Sequence, residues 1–284
     1  MKIIFFKSLY ILFLFCYNIY IIIEESNFFE PPKKNYKQIN IHESNIINID
    51  YIKSLKKVVY TALIGNYDSI RKIVKEDGYD YFMFTDNALD NVTTNWTILK
   101  IEDTLNYTNK IELTKKQRFY KILPHLFFQN YNLSIYIDTN FEIKGKLDYF
   151  LLRVLTPNLS IYILEHPTIS SINNEFEAVL YFKKELKSNV IKLKNRYKKE
   201  NFTDNNGHAE CCLIVRNHNN KNCIHFMEKW FNEVKKNSHR DQLSFNYIFW
   251  KIGNKHVKYI SKKFIEEYFS QSLFHLKYFK LEDN

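Results

Sequence analysis

The stretch "LSIYIDTNFEIKG" (Leu133–Gly145) runs through an apolar segment and stops on Asp138, with Asn140 two residues further on. A carboxylate and an amide two residues apart in an extended turn both offer oxygen atoms. Mg²⁺ and Mn²⁺ accept such hard ligands, take one or two protein carboxylates, and complete their shell with diphosphate oxygens and water. By spacing alone the pair is equally the polar end of a strand.

Other residues pose the same alternative. Asp68, in "GNYDSI", follows a Gly65 turn open enough for a nucleotide to approach the backbone, yet Asp also favours turns for local reasons. Asp86, in "FTDN", either contacts a ligand or caps the segment after it. Arg118 and Lys121, at i and i+3, share one helix face, where they hold a phosphate, pair with an acid at a strand end, or simply face solvent. In "SHRDQ" (Ser238–Gln242), Asp241 is the N-cap of the helix that follows, a general base, or a ligand of an acceptor hydroxyl.

The elements that must position these residues are legible as runs. Strands are expected at Val58–Ile64, Tyr79–Asn87, Leu133–Ile137, Ser160–His166 and Glu210–His218. Helices are expected at Leu113–Gln129, kinked or ended by Pro124, around Leu147–Leu155, from Asn174 to about Lys199, at Cys223–Lys236 and within Ser238–Lys251. This alternation predicts an α/β fold with a sheet covered by helices. Ligands in such folds gather at the carboxyl ends of strands, which singles out the loops after Ile64, Phe84, Ile137, Ile163 and Val215.

The 284 residues and 45% hydrophobic content suffice for one full core plus an appendage. The net charge of +10 is spread along the chain among acids, without an arginine-rich stripe, so no nucleic-acid partner is expected. Residues 1–23 read as a signal anchor: an apolar run from Ile3 to Ile23, with Lys2 and Lys7 before its core and Glu24 and Glu25 after it. A cleaved signal peptide is the rival reading, disfavoured because isoleucines and glutamates stand where a small-x-small cleavage site is needed, so the chain is expected to be a single-pass type II membrane protein with a Golgi or ER lumenal domain. Residues 24–56 read as a polar stem and 57–284 as the catalytic domain. Six N-glycosylation sequons, at Asn91, Asn95, Asn106, Asn132, Asn158 and Asn201, agree with that topology. Beyond Cys16, the three cysteines Cys211, Cys212 and Cys223 lack zinc spacing and leave open one disulfide to Cys223 or three buried thiols.

The segments "VVYTALIGNYDSI", "YFMFTDN", "KKQRFYKILPHLFF", "SIYIDTNFEIKG", "ILEHP", "ECCLIVRNH" and "SHRDQLSFNYIFWK" occur in an order and spacing that resembles the glycosyltransferase-like domain family named after the plant TOD and MUCI proteins. The resemblance spans about Lys57 to Lys251. It implies a GT-A-like, Rossmann-type mixed sheet, a nucleotide-sugar donor, a divalent metal (Mn²⁺ or Mg²⁺), and a glycan, glycoprotein or glycolipid acceptor. On that reading Asp138 and Asn140 are the metal site. Tyr60, Thr61, Gly65, Asn66, Tyr67 and Asp86 surround the nucleotide, and Arg118 and Lys121 face its phosphates or the acceptor. Glu210 and Asp241 contact sugar or acceptor, one of them as the catalytic base, and His218 or His239 completes the metal site. The sequence departs from the family pattern at Asn140, where a second acid is usual, and lacks an arginine shortly after His166-Pro167. A membrane-anchored glycosyltransferase is the leading expectation. The alternatives are a lumenal lipid or sugar amide hydrolase and a non-catalytic glycan-binding protein.

Overall fold

A computed structural model describes residues 47–65, 67, 68, 71, 73–87, 94–101, 109–204, 207–253 and 255–272. The expected signal anchor lies outside them, and among the described residues no helix is long and apolar enough to cross a membrane. The elements are α1 (Ile49–Ser54), β1 (Lys57–Leu63), β2 (Tyr79–Thr85), β3 (Thr97–Lys100), α2 (Lys110–Ile122), β4 (Leu133–Ile137), β5 (Phe141–Ile143), α3 (Leu147–Val154), β6 (Ile161–Glu165), α4 (Ile172–Tyr181), α5 (Lys187–Lys199), β7 (Ala209–Arg216), α6 (Lys221–Lys236), α7 (Gln242–Lys251), β8 (Val257–Ile260), α8 (Lys262–Ile265) and β9 (Phe269–Gln271).

Seven strands form one mixed sheet in the order β3-β2-β1-β4-β7-β6-β8. β1 to β4 run parallel, β7 is antiparallel to both its neighbours, and β6 and β8 run parallel to each other. The four parallel strands make a Rossmann-like half, and β5 pairs with β9 in a separate two-stranded sheet. Each face of the main sheet carries its own core. On one face Tyr60 and Tyr136 meet Ile122 of α2, Phe226 and Trp230 of α6, and Phe245 of α7. On the other, Val59, Ile135 and Ile137 meet Phe150 of α3 and Phe269 of β9. Central strands buried on both faces read as continuous apolar runs, which is why β1 and β4 are plain in the sequence. The apolar stripe Cys223, Phe226, Met227, Trp230 and Val234 likewise sets the buried face of α6.

Two sequence expectations change and one open alternative is resolved. The segment expected as one helix from Asn174 to Lys199 is two, α4 and α5, because the chain turns through Lys183 at φ 51°, a conformation an α-helix does not contain. The end of the expected stem belongs to the packed domain: α1 buries Ile52, and the buried Lys57 ammonium donates to Ile52 O at 2.7 Å while pairing with Asp148 at 3.2 Å. All three described cysteines are free, buried thiols, so no disulfide forms to Cys223. Pro124, as expected, ends α2: the chain leaves at Leu123 into a short 3-10 turn.

Just beyond the Ile143–Phe269 pair, the β5–β9 contact is prolonged where the Lys144 and Gly145 N–H groups donate to Tyr268 O at 2.8 and 3.1 Å. Gly145 has no room for a side chain there, since a Cβ would sit 2.8 Å from Glu267 O and 2.9 Å from Tyr268 Cα. Gly145→Ala is expected to cost about 1–3 kcal/mol in urea unfolding, because backbone on both sides must shift.

Candidate functional site

Strand direction decides which loops share an edge. The carboxyl ends of β1, β2, β4, β6 and β8 lie on one rim of the sheet together with the amino end of β7, because β7 runs the other way. Glu210, at the start of β7, therefore joins the rim. The loop after Val215, expected there, lies at the opposite edge. His218 goes with it: the side chain is fully buried and Nε2 meets Phe128 O at 2.8 Å, so it takes no part in a metal site at the rim. His239 is also engaged elsewhere, its Nδ1 3.0 Å from Glu185 Oε2.

The period-two pleat places Asp138 on the same side of β4 as Tyr136, beneath α2. The Tyr136 hydroxyl donates to Asp138 Oδ1 at 2.7 Å and accepts from Gln117 Nε2 at 2.8 Å. Lys121 Nζ lies 3.7 Å from the same Asp138 oxygen and 2.7 Å from Asp241 Oδ2, and Arg118 Nε lies 3.2 Å from Asp241 Oδ1. Arg118 and Lys121 are thus paired with acids, one of the readings their spacing allowed. The far end of Lys121 is gripped as well. Its carbonyl accepts from the Tyr60 hydroxyl at 2.7 Å and from Arg216 at 3.0 Å, and the Arg216 guanidinium also donates to the Tyr60 hydroxyl.

These contacts sort the predicted residues. Asp241 is 2% exposed, and its carboxylate turns away from the helix it precedes, making no side-chain cap. Burial by itself raises its carboxyl, but Arg118, Lys121 and Arg240 overcome that and hold it far below the usual carboxylate range. An anion so buried and so paired anchors α2 to α7 in this structure. Tyr60 is a fully buried core residue rather than a nucleoside contact, and Thr61 is equally buried. Gly65, at φ 87°, donates its N–H to both Asp86 oxygens at 3.0 and 3.1 Å, so Asp86 ties the ends of β1 and β2 together. Asn66 lies outside the described residues. Tyr67 sits near the acids: burial and then the Asp138 charge raise its phenol. Asp68 is buried and accepts from Thr139 Oγ1 at 2.6 Å, which holds the β1 loop against the turn after Asp138.

Asn140 is buried with Nδ2 on Ser272 O at 2.9 Å, and among the described residues its Oδ1 has no hydrogen-bond partner. A buried, unpartnered amide oxygen two residues from a part-exposed carboxylate is a donor set that fits a hard divalent cation. Among the described residues no group of three or more His, Cys, Asp or Glu is arranged to hold a metal. A cation at this turn therefore needs further oxygens from a ligand. Glu210, half-buried, pairs with Lys262 at 3.4 Å. Sequence reasoning missed Gln117, Tyr136 and Lys262, since nothing in their local pattern marks them apart from ordinary helix, strand and loop residues.

A mixed α/β sheet with acids, amides and basic residues gathered on one rim defines an α/β protein of Rossmann-like architecture. The family model described as "TOD1/MUCI70, glycosyltransferase-like domain" matches residues 28–276, and the chain belongs to that family. No curated protein matches. Among solved structures the chain is similar to the apo structure of the bifunctional glycosyltransferase WbbM, at 14% identity and a TM-score of 0.47, over 73% of this chain and 39% of that one.

Removing the carboxylate charge at Asp241 leaves Lys121 and Arg118 without their buried counter-ion. Asp241→Asn is expected to cost about 3–5 kcal/mol in denaturant unfolding at pH 7. Because the folded-state carboxyl lies below its ordinary 3.8, the advantage of the wild type is full at neutral pH, begins to shrink as pH falls through about 4, where the unfolded carboxyl takes up its proton, and is lost progressively toward the lowered folded-state value.

Proposed function

We propose that the protein is a metal-dependent glycosyltransferase that moves a sugar from a nucleotide-sugar donor to a glycan, glycoprotein or glycolipid acceptor, with a GT-A-like domain carried on an N-terminal membrane anchor. Family membership supports the transferase class, and the apolar run of residues 3–23 supports the anchor. The observation that carries the site is the Asp138 turn: a part-exposed carboxylate at the end of β4, oriented by Tyr136, beside the unpartnered Asn140 oxygen.

Charge balance is the physical reason for metal dependence. Asp138 and Asp241 are paired with Lys121 and Arg118, and Arg240 also acts on Asp241, so most of the positive charge near the turn is already engaged by protein acids and only part of it is free to attract a diphosphate. Asp138 and Asn140 would hold a divalent cation, which would supply further positive charge against the charge that develops on a leaving diphosphate. Lys121 and Tyr136 orient the Asp138 carboxylate, and the Asp241 ion pairs keep α2 from shifting as a ligand enters. Glu210, of the two acids expected to act as base, is the one that remains accessible on the rim.

Asp138→Ala is expected to lower nucleoside diphosphate release from the cognate nucleotide sugar by at least about a hundredfold while the cooperative unfolding transition persists. Wild-type turnover in this variant overturns the assignment. Thermal shifts should appear with one nucleotide sugar and Mn²⁺ together and be weak with Mn²⁺ alone, since the protein supplies only part of the shell.

A further inference from the structure

His166 plays no part in the ion cluster at Asp138. It follows β6 on the same rim, and its N–H donates to His208 O at 2.7 Å. Its ring folds back on its own loop, where Nδ1 accepts the backbone N–H groups of Thr168 at 3.3 Å and Ile169 at 3.0 Å. A ring nitrogen that accepts hydrogen bonds carries no proton, so in the neutral ring the proton sits on Nε2. Burial lowers the ring's pKa against the pull of Glu210, with Lys262 and Lys184 adding to the effect, which keeps the neutral form. Among the described residues the Nε2–H has no hydrogen-bond partner and is not sealed from solvent.

The surroundings favour a ligand in that place. His208, its ring centroid 6.1 Å away, is fully buried, among the described residues neither of its ring nitrogens is hydrogen-bonded, and burial lowers its pKa to about 3. Its Nε2 lies 3.8 Å from Glu175, a buried carboxyl that burial raises. The polar patch therefore has hydrogen-bonding capacity that the described protein leaves unused. β6 is two strands from β4 in the order β4-β7-β6, which puts His166 roughly 10 Å along the rim from Asp138. That is the reach of a sugar ring attached to a diphosphate at Asp138.

We propose that His166 is a specificity-determining residue whose Nε2–H, fixed in this tautomer by its own loop, donates a hydrogen bond to an oxygen of the transferred sugar. This rests on the nucleotide-sugar reading above. The residue is not a base, since Nε2 already holds the proton and Nδ1 is covered.

The test uses the full chain with Mn²⁺ and calorimetric titration of UDP-glucose, UDP-galactose, UDP-N-acetylglucosamine, GDP-mannose and CMP-sialic acid, each beside its sugar-free nucleotide. His166→Asn keeps an acceptor oxygen where Nδ1 stands and so preserves the loop, but loses the donor. It is expected to bind the preferred nucleotide sugar roughly three- to tenfold more weakly, the worth of one neutral hydrogen bond, and to bind the sugar-free nucleotide like the wild type. His166→Gln, which places an amide N–H near the Nε2 position, is expected to recover the loss. Equal behaviour of His166→Asn on the two ligands, whether unchanged or equally weakened, overturns the proposal and leaves the transferase reading standing. If no nucleotide or nucleotide sugar binds the wild type, the transferase reading falls and the proposal with it.

Discussion

The ion cluster of Asp241 with Lys121 and Arg118 is the constraint around which the rim is built. Charges taken out of water are tolerated only when paired with good geometry, so α2, the start of α7 and the end of β4 must meet in one arrangement. Lys121 is held at both ends, its ammonium by acids and its carbonyl by Tyr60 and Arg216. That grip sets the rotation of α2, and the rotation places Gln117 on Tyr136 and thereby orients Asp138. The backbone around Asp241 is held as well, since its carbonyl accepts from Trp230 Nε1 and Ser244 Oγ, both at 3.1 Å.

The antiparallel strand β7 has the next largest consequence. Set between the parallel strands β4 and β6, it brings an amino-terminal strand end, and with it Glu210, to a rim otherwise made of carboxyl ends. Its pairing with β6 jumps from Ile163↔Ile214 to Leu164↔Glu210, so the chain bulges at residues 211–213. Bulges re-aim side chains, and this one lies where Cys212 O accepts the Asp138 N–H at 2.9 Å. The two halves of the rim, Asp138 on one side and Glu210 with His166 on the other, are therefore joined through one irregular strand.

Much of the fold was legible because burial on both faces leaves unbroken apolar runs at β1 and β4, and one-sided burial leaves a stripe on α6. The short strands β3 and β8 were not legible. Only Ile260 among their eight residues is buried, and their pairing depends on neighbours distant in the chain. The continuous burial that reveals β1 also conceals which way each of its side chains points. The family resemblance put Tyr60 and Thr61 around the nucleotide, whereas both side chains are fully buried in the sheet.

The sequence by itself determined the α/β class, the polar strand end at Asp138 and Asn140, and the motifs that carry family membership, because these rest on local runs and fixed spacings. Only the tertiary structure decided that β7 runs backwards, that His218 leaves the rim, that Asp241 is buried in ion pairs with Arg118 and Lys121, and that the Asn140 amide oxygen finds no partner among the described residues. Each of those outcomes depends on which groups far apart in the chain are brought within a few ångströms and shielded from water, and a residue's type does not encode its neighbours.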